Sequence, residues 1–469
     1  MNGPAVLPVP MMDLAELARA VDGALAGACV AFSGVSTDSR AISPGDLFVA
    51  LAGERFDGHE YVAEAMRRGA VAALVSRRIG AEPAIAQVVV KDTRAALGRL
   101  GAAWRARYSL PVLALTGSNG KTTVKEMLAS ILAAHCGGRE DVLATEGNLN
   151  NDIGLPLMLL RLRDHHRHAV FEMGMNHAGE IATLTRLASP DVALVNNAHR
   201  AHIGILGSLE AIAQAKGEIY AGMRPGGIAL VNEDDPFASY WKGLATQGRV
   251  ITFGTAESAH VRGTIGDGPG ENRDSPQLRF VTPLDAFAVT LQVPGEHNAR
   301  NAIAACAAAF ALEIPPRAIQ DGLAAFAGTK GRLERKHVPG GAVVVDDTYN
   351  ANPDSMKAAI RVLSRLPGRR VFVMGDMGEL GDAEASLHAE VGAYAKGTGI
   401  ERLLAIGAQC LHAVEAFGEG ATHFAALDRL LEAAREEAKP GTTILVKGSR
   451  FMHMERVVER LAGEGNHAA

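Results

Sequence analysis

The apolar run Pro111-Val-Leu-Ala-Leu115 leads directly into Thr116-Gly-Ser-Asn-Gly-Lys-Thr-Thr123 and then into a helical-looking stretch from Val124 to Ala134. A buried-type strand that breaks at small residues and restarts as a helix commits this part of the chain to an α/β unit. It also aims several backbone N–H groups and the positive end of a helix at one point, which suits polyphosphate. The ligand expected there is ATP or GTP. The usual pattern G-x-x-x-x-G-K-[ST] wants a glycine where Leu115 stands, so what remains is T-G-x-x-G-K-T-T. Amides of Ser118 to Thr122 would form the cradle, Lys121 would reach the β and γ phosphates, and the Thr122 hydroxyl would ligate Mg²⁺. Thr116, Gly117, Asn119, Gly120 and Thr123 complete the candidate loop. The alternative is a Gly-rich turn capping an ordinary helix, but few such turns combine a buried-type strand, two glycines and a Lys-Thr-Thr start.

With 469 residues, a length of ~150 per domain gives about three domains. A hydrophobic content of 48% excludes a disordered chain, and 5% aromatic residues with plentiful Ala and Gly favour tightly packed helices on sheets. The net charge of −5 and the absence of a basic run argue against nucleic acid as a partner. Cys29, Cys136, Cys306 and Cys410 are far apart and read as buried thiols in a reducing cytosol rather than a zinc site. Met1 to Pro10 lacks the pattern of a secretory signal, and no run of about 18 apolar residues occurs. A cytoplasmic protein without membrane insertion is expected.

The first ~90 residues contain Val35-Ser-Thr-Asp-Ser-Arg40, the strand-like Asp46 to Leu51, Gly53-Glu-Arg-Phe-Asp-Gly-His59, a helical Tyr61 to Arg68 and the strand Ala70 to Val75, a small α/β unit without a phosphate loop. A helix from Thr93 to about Tyr108 leads into the nucleotide strand. Apolar strands Ala169 to Glu172, Val192 to Asn196 and Gly227 to Asn232 then alternate with helices, the order of a largely parallel sheet. Alternating segments within 250–295 predict a short antiparallel accessory sheet. After a helix from about Asn298 to Leu312, Gly328-Thr-Lys-Gly-Arg332 is a glycine-punctuated linker candidate. Four further strands, Ala342 to Val345, Arg370 to Met374, Arg402 to Ile406 and Thr442 to Val446, predict a second doubly wound sheet. Their carboxyl ends carry Asp346-Asp-Thr-Tyr-Asn350, Gly375-Asp-Met-Gly-Glu379 and Lys447-Gly-Ser-Arg450, where ligands of such folds sit. The expected domains are 1–91, 92–328 and 329–469.

Glu172 closes its strand beside the phosphate loop and could hold the metal on the γ-phosphate; a solvated strand-end Glu is the alternative, and Glu180 is a rival for the same task. From Ser208, a good N-cap, a helix is expected that places Lys216 on the apolar face of Ile212 and Ile219. A lysine there must snorkel to solvent or lose its charge, and a neutral amine can take up CO₂ to give a metal-binding carbamate. From the residues alone snorkelling is favoured. His202, in the loop before that helix, is a candidate metal ligand, whereas Asp164-His-His-Arg-His168 reads as a surface loop. Gly295-Glu-His-Asn-Ala-Arg-Asn301 opens a helix on which His297, Asn298 and Asn301 could face a base, with simple capping by Asn298 as the alternative. Arg332 in the linker could swing a guanidinium onto transferring phosphate.

Taken together, Ser36-Thr-Asp-Ser-Arg40, Gly53-Glu-Arg-Phe-Asp57, Gly147-Asn-Leu-Asn-Asn-Asp-Ile-Gly154, Ala215-Lys-Gly-Glu-Ile219, Asp346-Asp-Thr-Tyr-Asn-Ala-Asn352, Gly375-Asp-Met-Gly-Glu-Leu380 and Lys447-Gly-Ser-Arg450 resemble the Mur ligases, ATP-dependent amide-forming enzymes of bacterial cell-wall precursor synthesis. The resemblance covers nearly the whole chain in order. It implies three α/β domains: a small UDP-binding domain, a central P-loop ATPase domain with a mostly parallel sheet, and a C-terminal Rossmann-like domain. Among the family's reactions it points to the last, in which D-alanyl-D-alanine is joined to UDP-N-acetylmuramoyl-tripeptide through an acyl phosphate. The same resemblance assigns Ser39, Arg40, Gly53, Arg55 and Phe56 to the UDP end of the substrate, and Asn148, Asn151 and Asp152 to its tripeptide end. It gives Thr122, Glu172, His202 and Lys216 to about two Mg²⁺ ions, with Lys216 carbamylated, which reverses the snorkelling preference. Asn298 and Asn301 fall on the adenine side, Arg332 and Asp347 near the γ-phosphate and ribose, and Tyr349, Asn350, Lys447 and Ser449 on the substrate. Lys121, Lys216, Arg332 and His202 are the implied catalytic groups, and a monomer is expected. The chain departs from the family pattern at Ile203 and Gly204, where an acidic residue is expected near the histidine, and before Gly331-Arg332, where proline is usual. Three other readings compete: a folylpolyglutamate synthase, which would lack the Ser-Thr-Asp-Ser-Arg domain; another Mur ligase, against which Gly147-Asn-Leu-Asn-Asn151 and Asp376-Met-Gly-Glu-Leu380 speak; and a nucleotide-gated switch, which would leave the polar strand ends of the last lobe unexplained.

Overall fold

A computed structural model describes residues 9–463 except 55, 81–84, 247 and 267–274. Arg55 therefore lies outside the described residues. The chain forms three sheet-centred domains, and the nine-stranded sheet of the middle one organises the rest. Its strand Val112–Thr116 is buried at all five positions, the pattern of a parallel strand covered by helices on both faces. Each fully buried Val or Leu there contributes about 1.5–3 kcal/mol. The strand lies between His168–Glu172 and Val192–Val195, parallel to both. Register places Glu172 opposite Leu115 and Val195 opposite Thr116, so both neighbours end beside the phosphate loop. Because the next strand in sequence, Val142–Ala144, pairs at the far edge beyond His168–Glu172, the chain order reverses around Val112–Thr116. Ligands of doubly wound sheets bind at such a reversal.

The accessory sheet predicted for 250–295 is not separate. Arg249–Gly254 is a parallel member of the central sheet, and Val261–Gly266, Gln277–Val281 and Ala286–Thr290 extend the same sheet as an edge, the last two antiparallel. Alternation in these strands reflects one covered face: Leu278 and Phe280 are buried while Gln277 and Arg279 are exposed. Against them packs Glu296–Ala311, whose small side chains sit fully inside the core.

The first domain carries a five-stranded sheet between Ala24 and Val89, four of its strands running parallel. The last domain has six strands rather than the four predicted. Glu334–His337 and Ala421–Phe424 were not legible as strands, because a short charged stretch and a half-buried edge carry little apolar signal. The linker candidate is itself ordered by an antiparallel bridge between Thr329 and Arg332. Cys306 and Cys410 are buried as expected, but Cys29 is exposed and Cys136 half-buried. Among the described residues no helix is long and apolar enough to cross a membrane.

Candidate active site

The helix Lys121–Cys136 begins at Gly120, whose φ of +80° favours glycine, and a Cβ there would lie 2.2 Å from Asn301 Oδ1 and 2.7 Å from Asn196 Nδ2. Gly120→Ala is accordingly expected to lower affinity for ADP at least about tenfold, roughly 1.4 kcal/mol, in a nucleotide titration. The loop before it is held from the neighbouring strand end: Ser118 N–H donates to Asn197 O at 3.0 Å, Asn119 N–H donates to Asn197 Oδ1 at 2.9 Å, and Asn196 Nδ2 donates to Asn119 O at 2.9 Å. The Ser118 hydroxyl donates to His199 O and accepts from His199 N–H, both at 2.9 Å. Burial lowers the His199 pKa, and a neutral ring lets Nδ1 accept from the Asn119 amide at 3.0 Å. Thr116 is fully buried, its hydroxyl bonded to Met173 O at 2.8 Å.

Glu172 is 3% exposed, so the solvated strand-end alternative fails. Its Oε2 accepts from the Thr122 hydroxyl at 2.9 Å and its Oε1 from Asn150 Nδ2 at 2.9 Å. Lys121 Nζ donates to Gly117 O at 2.8 Å; burial lowers its pKa, with the Glu172 carboxylate opposing and Arg332 reinforcing that shift. Arg332 crosses from the last domain, its guanidinium 3.0 Å from Thr122 Oγ1 and stacked 4.3 Å over the Tyr349 ring. Glu180, the rival carboxylate, instead accepts from Asn176 N–H at 2.8 Å and lies 3.1 Å from His177.

Lys216 lies in Leu209–Gly217, capped by Ser208 accepting from Ala211 N–H at 3.1 Å. It is 1% exposed and does not snorkel. Its ammonium makes no hydrogen bond or ion pair with any described residue; burial drives its pKa well below the usual lysine value, and nearby Lys121 pushes the same way. His202 has a left-handed φ of +62° and places Nδ1 2.5 Å from Glu379 Oε2, a carboxylate of the last domain. Beside it Gly204 N–H donates to Glu379 O at 2.9 Å, and a Cβ on Gly204 would lie 2.2 Å from Gly381 N. At 204 lack of space excludes an acid, at 203 the isoleucine packs against the apolar clusters of both domains, and another domain supplies a carboxylate to the histidine.

A cavity of about 1070 Å³ opens between the middle and last domains, lined among others by Asn119, Gly120, His297, Asn298, Asn301, Arg332, Asp347 and Lys447. Capping by Asn298 does not occur: the helix starts at Gly295 without a side-chain cap, and Asn298 Nδ2 donates to Pro294 O at 2.8 Å. Asn301 Oδ1 instead accepts from Asn196 Nδ2 at 3.1 Å, against the phosphate loop. Lys447 is 3% exposed and bonds Asp347 Oδ2 at 2.6 Å and Asn350 O at 2.9 Å. The Ser449 hydroxyl donates to Ala351 O at 3.2 Å and accepts from Gly378 N–H at 2.9 Å.

The remaining candidates lie elsewhere. In the first domain Ser39 is buried, Arg40 is paired with Asp38 at 2.8 Å, and Gly53 N–H donates to Phe56 O at 2.9 Å beneath a largely exposed Phe56 ring. Asn151 Oδ1 accepts from Gly154 N–H at 2.8 Å within its own loop, Asp152 ties that loop to the helix Thr93–Arg105 through Arg94 at 2.7 Å, and between Leu149 and Asn151 stands Asn150, which reaches Glu172. Of the expected surface loop only 164–167 is loop, where His166 Nδ1 accepts from Arg163 N–H at 2.9 Å; His168 instead opens the strand His168–Glu172, is buried, and faces Cys136 at 3.4 Å. Asp376, His388 and Cys410 do come together. The His388 ring accepts from Met377 N–H at 2.9 Å and its other nitrogen meets Glu384 O at 2.7 Å, leaving no lone pair for a metal.

Residues 31–105 match the catalytic domain of the Mur ligase family, 115–309 the Mur ligase middle domain and 331–450 the Mur ligase glutamate ligase domain. The chain belongs to the Mur ligase family. Within it, the chain is 42% identical over 465 residues to the UDP-N-acetylmuramoyl-tripeptide--D-alanyl-D-alanine ligase of Escherichia coli K12, spanning 97% of this chain and 99% of that one. A crystal structure of MurF from Acinetobacter baumannii superposes with a TM-score of 0.89 at 39% identity, covering 97% of this chain and 100% of that chain. MurF from Thermotoga maritima in complex with ADP gives a TM-score of 0.78 at 27% identity, over 92% and 97% of the two chains.

Proposed function

We infer that this chain is an ATP-dependent ligase that joins D-alanyl-D-alanine to UDP-N-acetylmuramoyl-tripeptide, giving the pentapeptide precursor of peptidoglycan, ADP and phosphate. The observation that carries it is the convergence of Lys121, Thr122, Glu172 and Arg332 at the start of the helix Lys121–Cys136, with Arg332 also lining the interdomain cavity, in a chain similar along nearly its whole length to ligases of that name.

A free carboxylate is a poor electrophile. The tripeptide carboxylate therefore attacks the γ-phosphorus of ATP, and ADP leaves from an acyl phosphate. Two anions approach in that step. Lys121 and Arg332 offset their repulsion, Lys121 exchanging its bond to Gly117 O for phosphate oxygens and Arg332 turning from the Thr122 hydroxyl to the transferring group. The Thr122 hydroxyl and Glu172 carboxylate, 2.9 Å apart, are the hard oxygen donors Mg²⁺ takes, with Asn150 orienting the carboxylate. When bound, Mg²⁺ neutralises phosphate charge. The dipeptide amine then attacks the acyl carbon, and phosphate departs.

Lys216 fits the proposed carbamate: burial without a partner among the described residues disfavours its charged form, the neutral nitrogen adds to CO₂, and a proton is lost to solvent, leaving a carbamate anion that could join the metal donors. His202 is proposed as the remaining metal-side ligand. Asn298, Asn301 and Asp347 are assigned to nucleoside, Ser39, Arg40 and the Gly53 to Phe56 turn to the UDP end, and Tyr349, Asn350, Lys447 and Ser449 to the peptide substrates. The exposed Phe56 ring offers an apolar face for a base. This assignment divides the chain after residues 91 and 328, and it fits a cytoplasmic monomer acting on nucleotide-linked sugars.

Phosphate release is the test, with MgATP, UDP-N-acetylmuramoyl-tripeptide and D-alanyl-D-alanine each omitted in turn. Release that needs all three, with pentapeptide detected by mass, is expected. ATP turnover indifferent to both acceptors would overturn the assignment and favour a nucleotide switch.

A further inference from the structure

Arg200 stands two residues before His202, on the segment whose residue 199 holds the phosphate loop, and all of its side-chain partners belong to the last domain. Its backbone N–H donates to Asp354 Oδ2 at 3.0 Å, and its guanidinium donates to Asp354 Oδ1 at 2.7 Å and to the Glu390 carboxylate at 3.0 Å through two nitrogens. Lys357 closes the group with an ion pair to Glu390 at 2.5 Å. Asp354 occupies the first turn of Pro353–Arg365, and the Asn352 cap of that helix donates from Nδ2 to Asn119 Oδ1 of the phosphate loop at 2.8 Å. The helix N-terminus is thereby held directly over the nucleotide loop, and Asp354 and Lys357 line the cavity between the two domains. Arg200 and Asp354 are each only about a quarter exposed, with side chains at 27% and 28%, so the pair is partly shielded from solvent. A bidentate guanidinium–carboxylate contact fixes orientation as well as distance.

We propose that Arg200 is a positioning residue for the ligation: by gripping Asp354 and Glu390 it keeps the last domain seated on the nucleotide loop while the acyl phosphate exists, so that the amine rather than water reaches the acyl carbon. The proposal rests on the ligase assignment above. Without the grip, water adds to the acyl carbon, the carbon–oxygen bond to phosphate breaks, and tripeptide and free phosphate are returned with no amide made. Arg200 contacts no reacting atom in this role, so its signature is a loss of coupling.

The test measures phosphate released and pentapeptide formed in the same reaction for wild-type enzyme and Arg200→Ala, across D-alanyl-D-alanine concentrations. Wild-type protein is expected to give one phosphate per pentapeptide. Arg200→Ala should bind ADP normally yet release several phosphates per pentapeptide at low D-alanyl-D-alanine, with KM for the dipeptide raised more than kcat is lowered and partial restoration in Arg200→Lys. Should Arg200→Ala not fold, Glu390→Gln tests the same grip from the other side and should uncouple in the same sense. One-to-one coupling and wild-type KM in the folded variants would overturn the proposal, while a wild-type enzyme that forms no pentapeptide would instead overturn the ligase assignment.

Discussion

Lys121→Ala is expected to lower ligation by at least about a thousandfold while leaving the fold intact. Its ammonium and the Arg332 guanidinium are the cations poised at the start of Lys121–Cys136, where a carboxylate must approach a polyphosphate. Loss of either leaves that repulsion half offset at the moment when charge on the transferring group is greatest. Stability should change little, because the side chain's one bond is to Gly117 O, worth about 1 kcal/mol net, and its desolvation is relieved in the variant. Phosphate release and a thermal melt monitored by circular dichroism separate the two effects. Near-normal product formation on ATP would remove Lys121 from the mechanism.

For Lys216→Ala a loss of about 10- to 100-fold is expected, the range seen when a group that supports a metal site is removed. Bicarbonate should not restore the rate, since no amine remains to capture CO₂, whereas a short carboxylate such as formate should restore part of it by occupying the vacated space as an anion. The wild-type enzyme adds a pH test. Burial lowers the amine's pKa, so the neutral form persists further into the acid range than for an exposed lysine. Activity should then fall as pH drops through that lowered value, when protonation removes the amine that binds CO₂. An unaffected rate in Lys216→Ala would eliminate the carbamate.

The phosphate loop was legible because its chemistry is local: strand, turn and helix start lie within Val112 to Lys121, and each part carries its own signal. Glu172 was legible by position, as the last residue of a buried strand, although its value depended on pairing with Val112–Thr116 that only the fold supplies. Asn196 and Asn197 stand at the end of Val192–Val195 and hold the loop. The rule that drew attention to the polar strand ends of the last domain would have found them. Asn150 lies within Gly147-Asn-Leu-Asn-Asn-Asp-Ile-Gly154, but nothing in its neighbours distinguishes it from Asn148 or Asn151. Arg200 was beyond reach, since its partners are 154 and 190 residues away in sequence and no spacing rule joins them. The snorkelling preference for Lys216 failed for a related reason. A helical period shows which face a residue is on, and the depth of that face is set by elements elsewhere in the chain.

Where Gly204 meets Gly381, hydrogen atoms rather than side chains form the contact between two domains. Elsewhere in the chain a methyl group is a unit of cohesion. Here it would act as a shim, holding His202 away from Glu379 and tilting the last domain by an amount that grows with the size of residue 204. A residue with no side chain thus limits how closely the two domains approach beside His202, and the tolerance at that point is narrower than a carbon atom.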